Sequence, residues 1–159
     1  MDRVTLYEED FYESEEIKEE SVQLVVFRLA DEWYAVDILR IREIVRADKI
    51  TFLPSSPSNI GGIVNVRGNI VSVTDLKKAF GLVSEDLTGR SRIIVVKNNN
   101  YETGILADET DGVIQVSVKS IDPVLSTLSP SKSEYIEGEV RSDNKMIGIL
   151  HVEKLFDIK

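Results

Sequence analysis

From Val22 onward the chain sets short apolar, β-branched runs between turn residues. Val22-Gln23-Leu24-Val25-Val26-Phe27 reads as a strand, Asp31-Glu32 as a turn, and Tyr34-Ala35-Val36 as the returning arm of a hairpin. Ile38, Ile41, Ile44 and Val45 follow at mixed spacing, which suits a strand that opens with a bend or one helical turn. Ser55 to Asn59 reads as a loop. Between Gly61 and Val73, two β-branched runs flank Arg67-Gly68-Asn69, a tight hairpin whose glycine supplies a positive φ. Asp75 to Gly81 predicts a short helix closed by its glycine.

The second half restarts this order. Arg92 to Val96 is a strand, Asn98 to Asn100 a turn, and Gly104 to Asp108 the return strand. Asp111 to Val116 follows, then a longer loop from Pro123 to Glu134. Gly138 to Val140 leads through Ser142-Asp143-Asn144 into Met146 to Leu150, and Val152 to Phe156 ends in a helical turn or two. At an offset of 69, Val25-Val26-Phe27 aligns with Ile94-Val95-Val96, Ala35-Val36 with Gly104-Ile105, and Ile44-Val45 with Val113-Ile114. At 76, Gly62, Val64, Val71, Val73 and Phe80 align with Gly138, Val140, Ile147, Ile149 and Phe156. Two copies predict two small β lobes of about five strands each, closed as barrels so that no edge is exposed.

Charge divides the chain differently. The net charge is −9, from 28 acidic and 19 basic residues. Residues 1–20 alone carry nine acids against two bases, which leaves the remainder close to neutral. Residues 1–21 therefore read as an acidic tail without regular structure, in which Tyr7, Phe11, Tyr12 and Ile17 are the groups able to dock on a partner or on the body. A nearly neutral body suits contact with other proteins, and nucleic acid, which needs a positive surface, is disfavoured. No apolar run reaches the length of a membrane span, and the N-terminus lacks a signal-peptide pattern. The absence of cysteine fits a reducing compartment and removes thiol catalysis and thiolate zinc sites. The single histidine, His151, sits in an apolar stretch and reads as a strand residue. No Gly-rich phosphate loop is present.

Phe27 to Ile38, Ile41-Arg42-Glu43-Ile44 and above all Gly62-Ile63-Val64-Asn65-Val66-Arg67-Gly68-Asn69-Ile70-Val71-Ser72-Val73-Thr74-Asp75-Leu76 resemble the CheW-type chemotaxis coupling proteins. Ile93 to Val96, Gly104 to Asp108 and Tyr135 to Gly138 continue the resemblance, which spans roughly residues 22–157. Ser72 stands where the family often has proline, and Ala107 where valine is common. The resemblance implies a mainly β fold over residues 22–159: two intertwined five-stranded SH3-like barrel lobes with short helices. It implies a non-enzymatic adaptor without cofactor or metal, cytoplasmic and recruited to membrane-associated chemoreceptor arrays. Its implied partners are the regulatory domain of the histidine kinase CheA and the cytoplasmic tips of chemoreceptors, with no insertion into the membrane. A module of a CheV-type or kinase regulatory protein is the alternative, with a small-ligand β-barrel behind it. The chain ends at Lys159 without receiver-like sequence, which argues against the fusion.

The resemblance assigns Arg67, Glu43, Gly62, Gly68 and Arg92 to the receptor-contact surface. Arg67 lies at a hairpin tip, where its guanidinium fork suits a carboxylate. Gly62 and Gly68 suit close backbone approach or turn geometry. Ile38 and Ile41 suit either the lobe core or an exposed anchor for the kinase. Trp33, the only tryptophan, is expected to cover one barrel end.

Overall fold

A computed structural model describes residues 20–53, 60–123 and 130–156. The loop expected at 55–59 and most of the acidic tail lie outside these residues. Eleven strands form two sheets. In chain order they are β1 (Ser21–Leu29), β2 (Glu32–Asp37), β3 (Ile41–Arg46), β4 (Thr51–Phe52), β5 (Ile60–Val66), β6 (Asn69–Thr74), β7 (Arg92–Asn98), β8 (Tyr101–Ala107), β9 (Glu109–Ser117), β10 (Ile136–Ser142) and β11 (Lys145–Leu150). Short helices are α1 (Leu76–Phe80), α2 (Pro130–Ser133) and α3 (Val152–Leu155). The first sheet has the order β10-β11-β2-β1-β9 and the second β3-β7-β8-β6-β5-β4.

Each sheet mixes the two copies of the repeat, so the copies are not the lobes. The first copy lends its leading hairpin, β1–β2, to the second copy's β9, β10 and β11. The second copy lends β7–β8 to the first copy's β3 to β6. The registers obey the offsets. Val25 pairs with Val36, and 69 residues on, Ile94 pairs with Ile105. Val64 pairs with Val71, and 76 residues on, Val140 pairs with Ile147. The exchanged contacts are reciprocal: Ile44 pairs with Ile94 as Val113 pairs with Val25. The first sheet has five strands and the second six, the two-residue β4 adding to β5, so the expected five strands per lobe is not the count of both sheets.

The exchange explains the unbroken apolar runs. Ile93 and Val95 of β7 fill one lobe's core with Val64, Val66, Val71, Val73 and Leu106. Ile94 and Val96 face the other way, into a central core shared with Phe27, Leu29, Tyr34, Val36, Leu76, Phe80, Val152 and Leu155. A strand buried on both faces has no polar side to alternate. The third cluster, Leu24, Val26, Ala35, Val140, Ile147 and Ile149, fills the other lobe.

Local chemistry fixes the turns. Arg67 (φ 54°) and Gly68 (φ 88°) form the two-residue β5–β6 loop, and the Asn65 side chain accepts from the Gly68 N–H at 2.8 Å. Asp143 and Asn144, 76 residues later, repeat it with positive φ; paired left-handed residues match the strand twist. The first hairpin turns at Ala30-Asp31, one residue before the expected Asp31-Glu32. The Asp75 carboxylate caps α1, and Gly81 (φ 70°) ends it. His151 is not a strand residue: it stands just before α3, its N–H donating to the Tyr135 carbonyl at 2.8 Å. Trp33 lies in β2, half-buried against the Leu24 cluster, with Lys145 Nζ 3.9 Å from its ring centre.

One buried ion pair ties the sheets together. Lys77 of α1, which follows the second sheet's β6, is 1% exposed and places Nζ 2.7 Å from Asp108 Oδ1. Asp108 Oδ2 accepts from the N–H of Ala30 at 2.7 Å, at the β1–β2 turn of the first sheet.

Candidate functional site

The site is built around β3 and the 3-10 turn before it, Ile38–Arg40. Asp37 caps that turn, its carboxylate accepting from the Leu39 N–H at 2.9 Å. Arg40 anchors the turn to α3 through Glu153, 2.8 Å away. The Glu153 carboxyl is held below its usual range, first by its own backbone N–H and then by Arg40. The turn thus presents Ile38 and the exposed Leu39 from a fixed base.

β3 lies at one edge of the second sheet and β9 at one edge of the first. Between them runs a groove of about 440 Å³, lined by Val25, Ile38, Ile41, Ile44 and Val113, with Arg42, Glu43, Thr110 and Gly112. Its walls are repeat equivalents: Ile41, Glu43 and Ile44 correspond at an offset of 69 to Thr110, Gly112 and Val113. The groove therefore straddles the axis relating the copies. Ile44 is 40% and Val113 52% exposed, so two aliphatic side chains face outward where a soluble surface gains nothing from them. Ile38 and Ile41 are half-buried. They resolve neither to core nor to free anchors: they form the groove floor, and Ile41 also packs on the central core.

The hairpin tip stands beside this strand. Val64, Val66 and Val71 point inward, at 5% exposure or less, which turns Arg67 out. Arg67 Nε lies 3.2 Å from Glu43 Oε1, and the arginine side chain is 79% exposed against 22% for the glutamate. Two residues separated widely in sequence are thus brought together. Gly68 needs its left-handed φ, and nothing lies within 4 Å of an added Cβ. Gly62 is needed for space instead, since a Cβ there would meet the Thr51 carbonyl oxygen at 2.4 Å. Arg92 does not join the cluster: its Nη1 donates to the carbonyls of Gly89 and Ser91 at 2.8 and 2.9 Å, bracing its own loop.

Sequence reasoning missed Leu39, Ile44 and Val113 as site residues. The repeat had already paired Ile44 with Val113, but periodicity does not distinguish an apolar residue facing a groove from one facing a core. A second, more polar cleft of about 380 Å³ lies among Glu32, Trp33, Lys132, Glu139, Lys145 and Met146. Among the described residues no group of three or more His, Cys, Asp or Glu stands together as a metal site, and no helix is long and apolar enough to cross a membrane.

Residues 23–159 match the family model of the CheW-like domain. The chain is 33% identical over 141 residues to the chemotaxis protein CheW of Helicobacter pylori, covering 89% of this chain and 85% of that protein. It is 29% identical to the chemotaxis protein CheW of Treponema pallidum, covering 90% and 86%. The crystal structure of scaffolding protein TtCheW from Thermoanaerobacter tengcongensis superposes with a TM-score of 0.78 at 36% identity, over 88% of this chain and 90% of that one.

Proposed function

The chain belongs to the CheW-like family and is a chemotaxis coupling adaptor, and on that premise we propose that it joins the kinase CheA to chemoreceptor tips through two neighbouring surfaces. The apolar groove takes the kinase's regulatory domain, with Ile38, Ile41, Ile44 and Val113 as anchors. The hairpin side takes the receptor, with Arg67 and Glu43 at its centre and Gly62 and Gly68 shaping the backbone. Arg92 supports that side by holding its loop, without a contact of its own. The lobes are read as SH3-like barrels within one domain, residues 22–159. What supports this is that the 3-10 turn Val118–Ser120 after β9 leads to Asp122, whose backbone exchanges two hydrogen bonds with Glu139 of β10 at 2.8 and 2.9 Å. We read the protein as a scaffold that works by contact rather than chemistry, in the cytoplasm beneath receptor arrays.

The observation that carries the reading is the exposed apolar groove on the repeat axis. Desolvating such aliphatic anchors supplies the driving force of a protein contact, while the outward Arg67 gives a partner carboxylate a forked donor. Crossed substitutions test it. Ile44→Asp is expected to weaken the kinase domain by about tenfold or more and leave the receptor tip unaffected, since it places a charge in a desolvated contact. Arg67→Ala is expected to do the reverse. If both variants fold and neither partner's affinity moves, the assignment fails.

A further inference from the structure

We propose that residues 1–19 are the groove's resident occupant, an acidic and aromatic segment that lies back over Ile38, Ile41, Ile44 and Val113 and competes with the kinase domain. Only the competition rests on the groove being the kinase site. The first support is where the segment is rooted. The Glu20 carbonyl accepts from the Val118 N–H at 2.9 Å, and β1 opens at Ser21. Ser21 and Val22 share a cleft of about 270 Å³ with Asp37, Ile38 and Leu39. Ile38 also lines the groove, so the segment leaves the body at the groove's end.

The second support is chemical complementarity. The segment offers Tyr7, Phe11, Tyr12 and Ile17 to an aliphatic groove, set among eight acids and two bases. The arginines beside the groove project past their own partners. Arg42 is 53% exposed against 20% for Glu102, 2.8 Å away, as Arg67 is against Glu43. The rim therefore shows guanidinium outermost. The acid that lines the groove, Glu43, is held by Arg67, and Asp37 in the adjoining cleft caps the 3-10 turn.

The third support is the tether. A chain of this length spans about 25 Å root-mean-square. A tethered segment at that range sits at about millimolar effective concentration, so even a weak intrinsic affinity covers the groove for much of the time. Coverage of about three-quarters lowers apparent kinase affinity about fourfold.

The chain has no cysteine, so Ser14→Cys gives one attachment point for a nitroxide on the full-length protein. Methyl NMR is expected to show broadening at Ile38, Ile41, Ile44 and Val113, abolished when Tyr7, Phe11 and Tyr12 are all changed to Ser. Broadening that misses the groove, or centres on the Trp33 and Met146 cleft, overturns the proposal. So does broadening that grows with protein concentration, which assigns the groove to a second copy. In parallel, the triple variant is expected to bind the kinase domain about fourfold more tightly. Equal affinities, with the groove broadened, refute the competition. Failure of both proteins to bind the kinase domain sinks the kinase assignment instead, and the NMR result still decides the tail.

Discussion

Replacing Asp108 with asparagine leaves the Lys77 ammonium buried without its counter-charge. Lys77 is 1% exposed and its ion-pair partner Asp108 is 2.7 Å away, so water does not reach in to compensate. Breaking a buried pair from one side typically costs about 3–5 kcal/mol. For a chain of this size that lowers the melting temperature by about 10 °C. The amide oxygen introduced at position 108 still accepts from the Ala30 N–H, so the loss isolates the charge rather than the turn. Adding Lys77→Met removes the stranded ammonium and fills its volume, and the double variant is expected to recover to within about 1.5 kcal/mol of the parent. Urea unfolding followed by Trp33, the only tryptophan, measures all four corners of the cycle. A single-variant loss below about 1 kcal/mol, or additive losses, would mean that the pair does not bind the sheets together.

Three further outcomes are expected. Gly62→Ala should cost about 1–3 kcal/mol by forcing the Thr51 carbonyl aside, whereas Gly61→Ala, whose Cβ meets Asp75 Cβ at 3.5 Å, should be nearly neutral; equal melting curves for the two contradict the close approach of β4. Arg67→Ala should change stability by less than about 0.5 kcal/mol because the pair is largely exposed, and a large loss in thermal unfolding would make the hairpin tip structural. Burial and the hydrogen bond to Glu32 push the Tyr34 hydroxyl well above its ordinary 10.0, so the folded state keeps a proton that the unfolded state loses. Stability should fall by up to about 1.4 kcal/mol per pH unit above pH 10 from this group, and unfolding at rising pH should be flatter in Tyr34→Phe; identical slopes refute the role.

Much of the fold was legible because its signals are local. The Arg67-Gly68 turn, the Asp75–Gly81 helix and the hairpin arms each follow from residues adjacent in sequence. The repeat offsets hold down to individual register pairs, such as Val25–Val36 and Ile94–Ile105. What the periodicity left hidden, and the resemblance implied only as intertwined lobes, is which hairpin docks where. Counting copies does not reveal that β1–β2 and β7–β8 exchange places, because both arrangements bury the same residues. The Lys77–Asp108 pair was invisible for the same reason, since a lysine in a short helix and an aspartate after a strand look like surface groups until the exchange joins them. At the candidate site, the hairpin implied an outward Arg67, whose role only the resemblance assigned; its pairing with Glu43 was not readable, and Ile44 and Val113 were hidden among core residues of the same type.

The proposed coupling of two partners at once is tested most directly by immobilising a chemoreceptor cytoplasmic tip and measuring retention of the CheA regulatory domain with and without the purified chain. Retention that requires the chain, and that falls in both Ile44→Asp and Arg67→Ala, is the result expected. Retention independent of the chain, or a chain that binds one partner only by displacing the other, would contradict it.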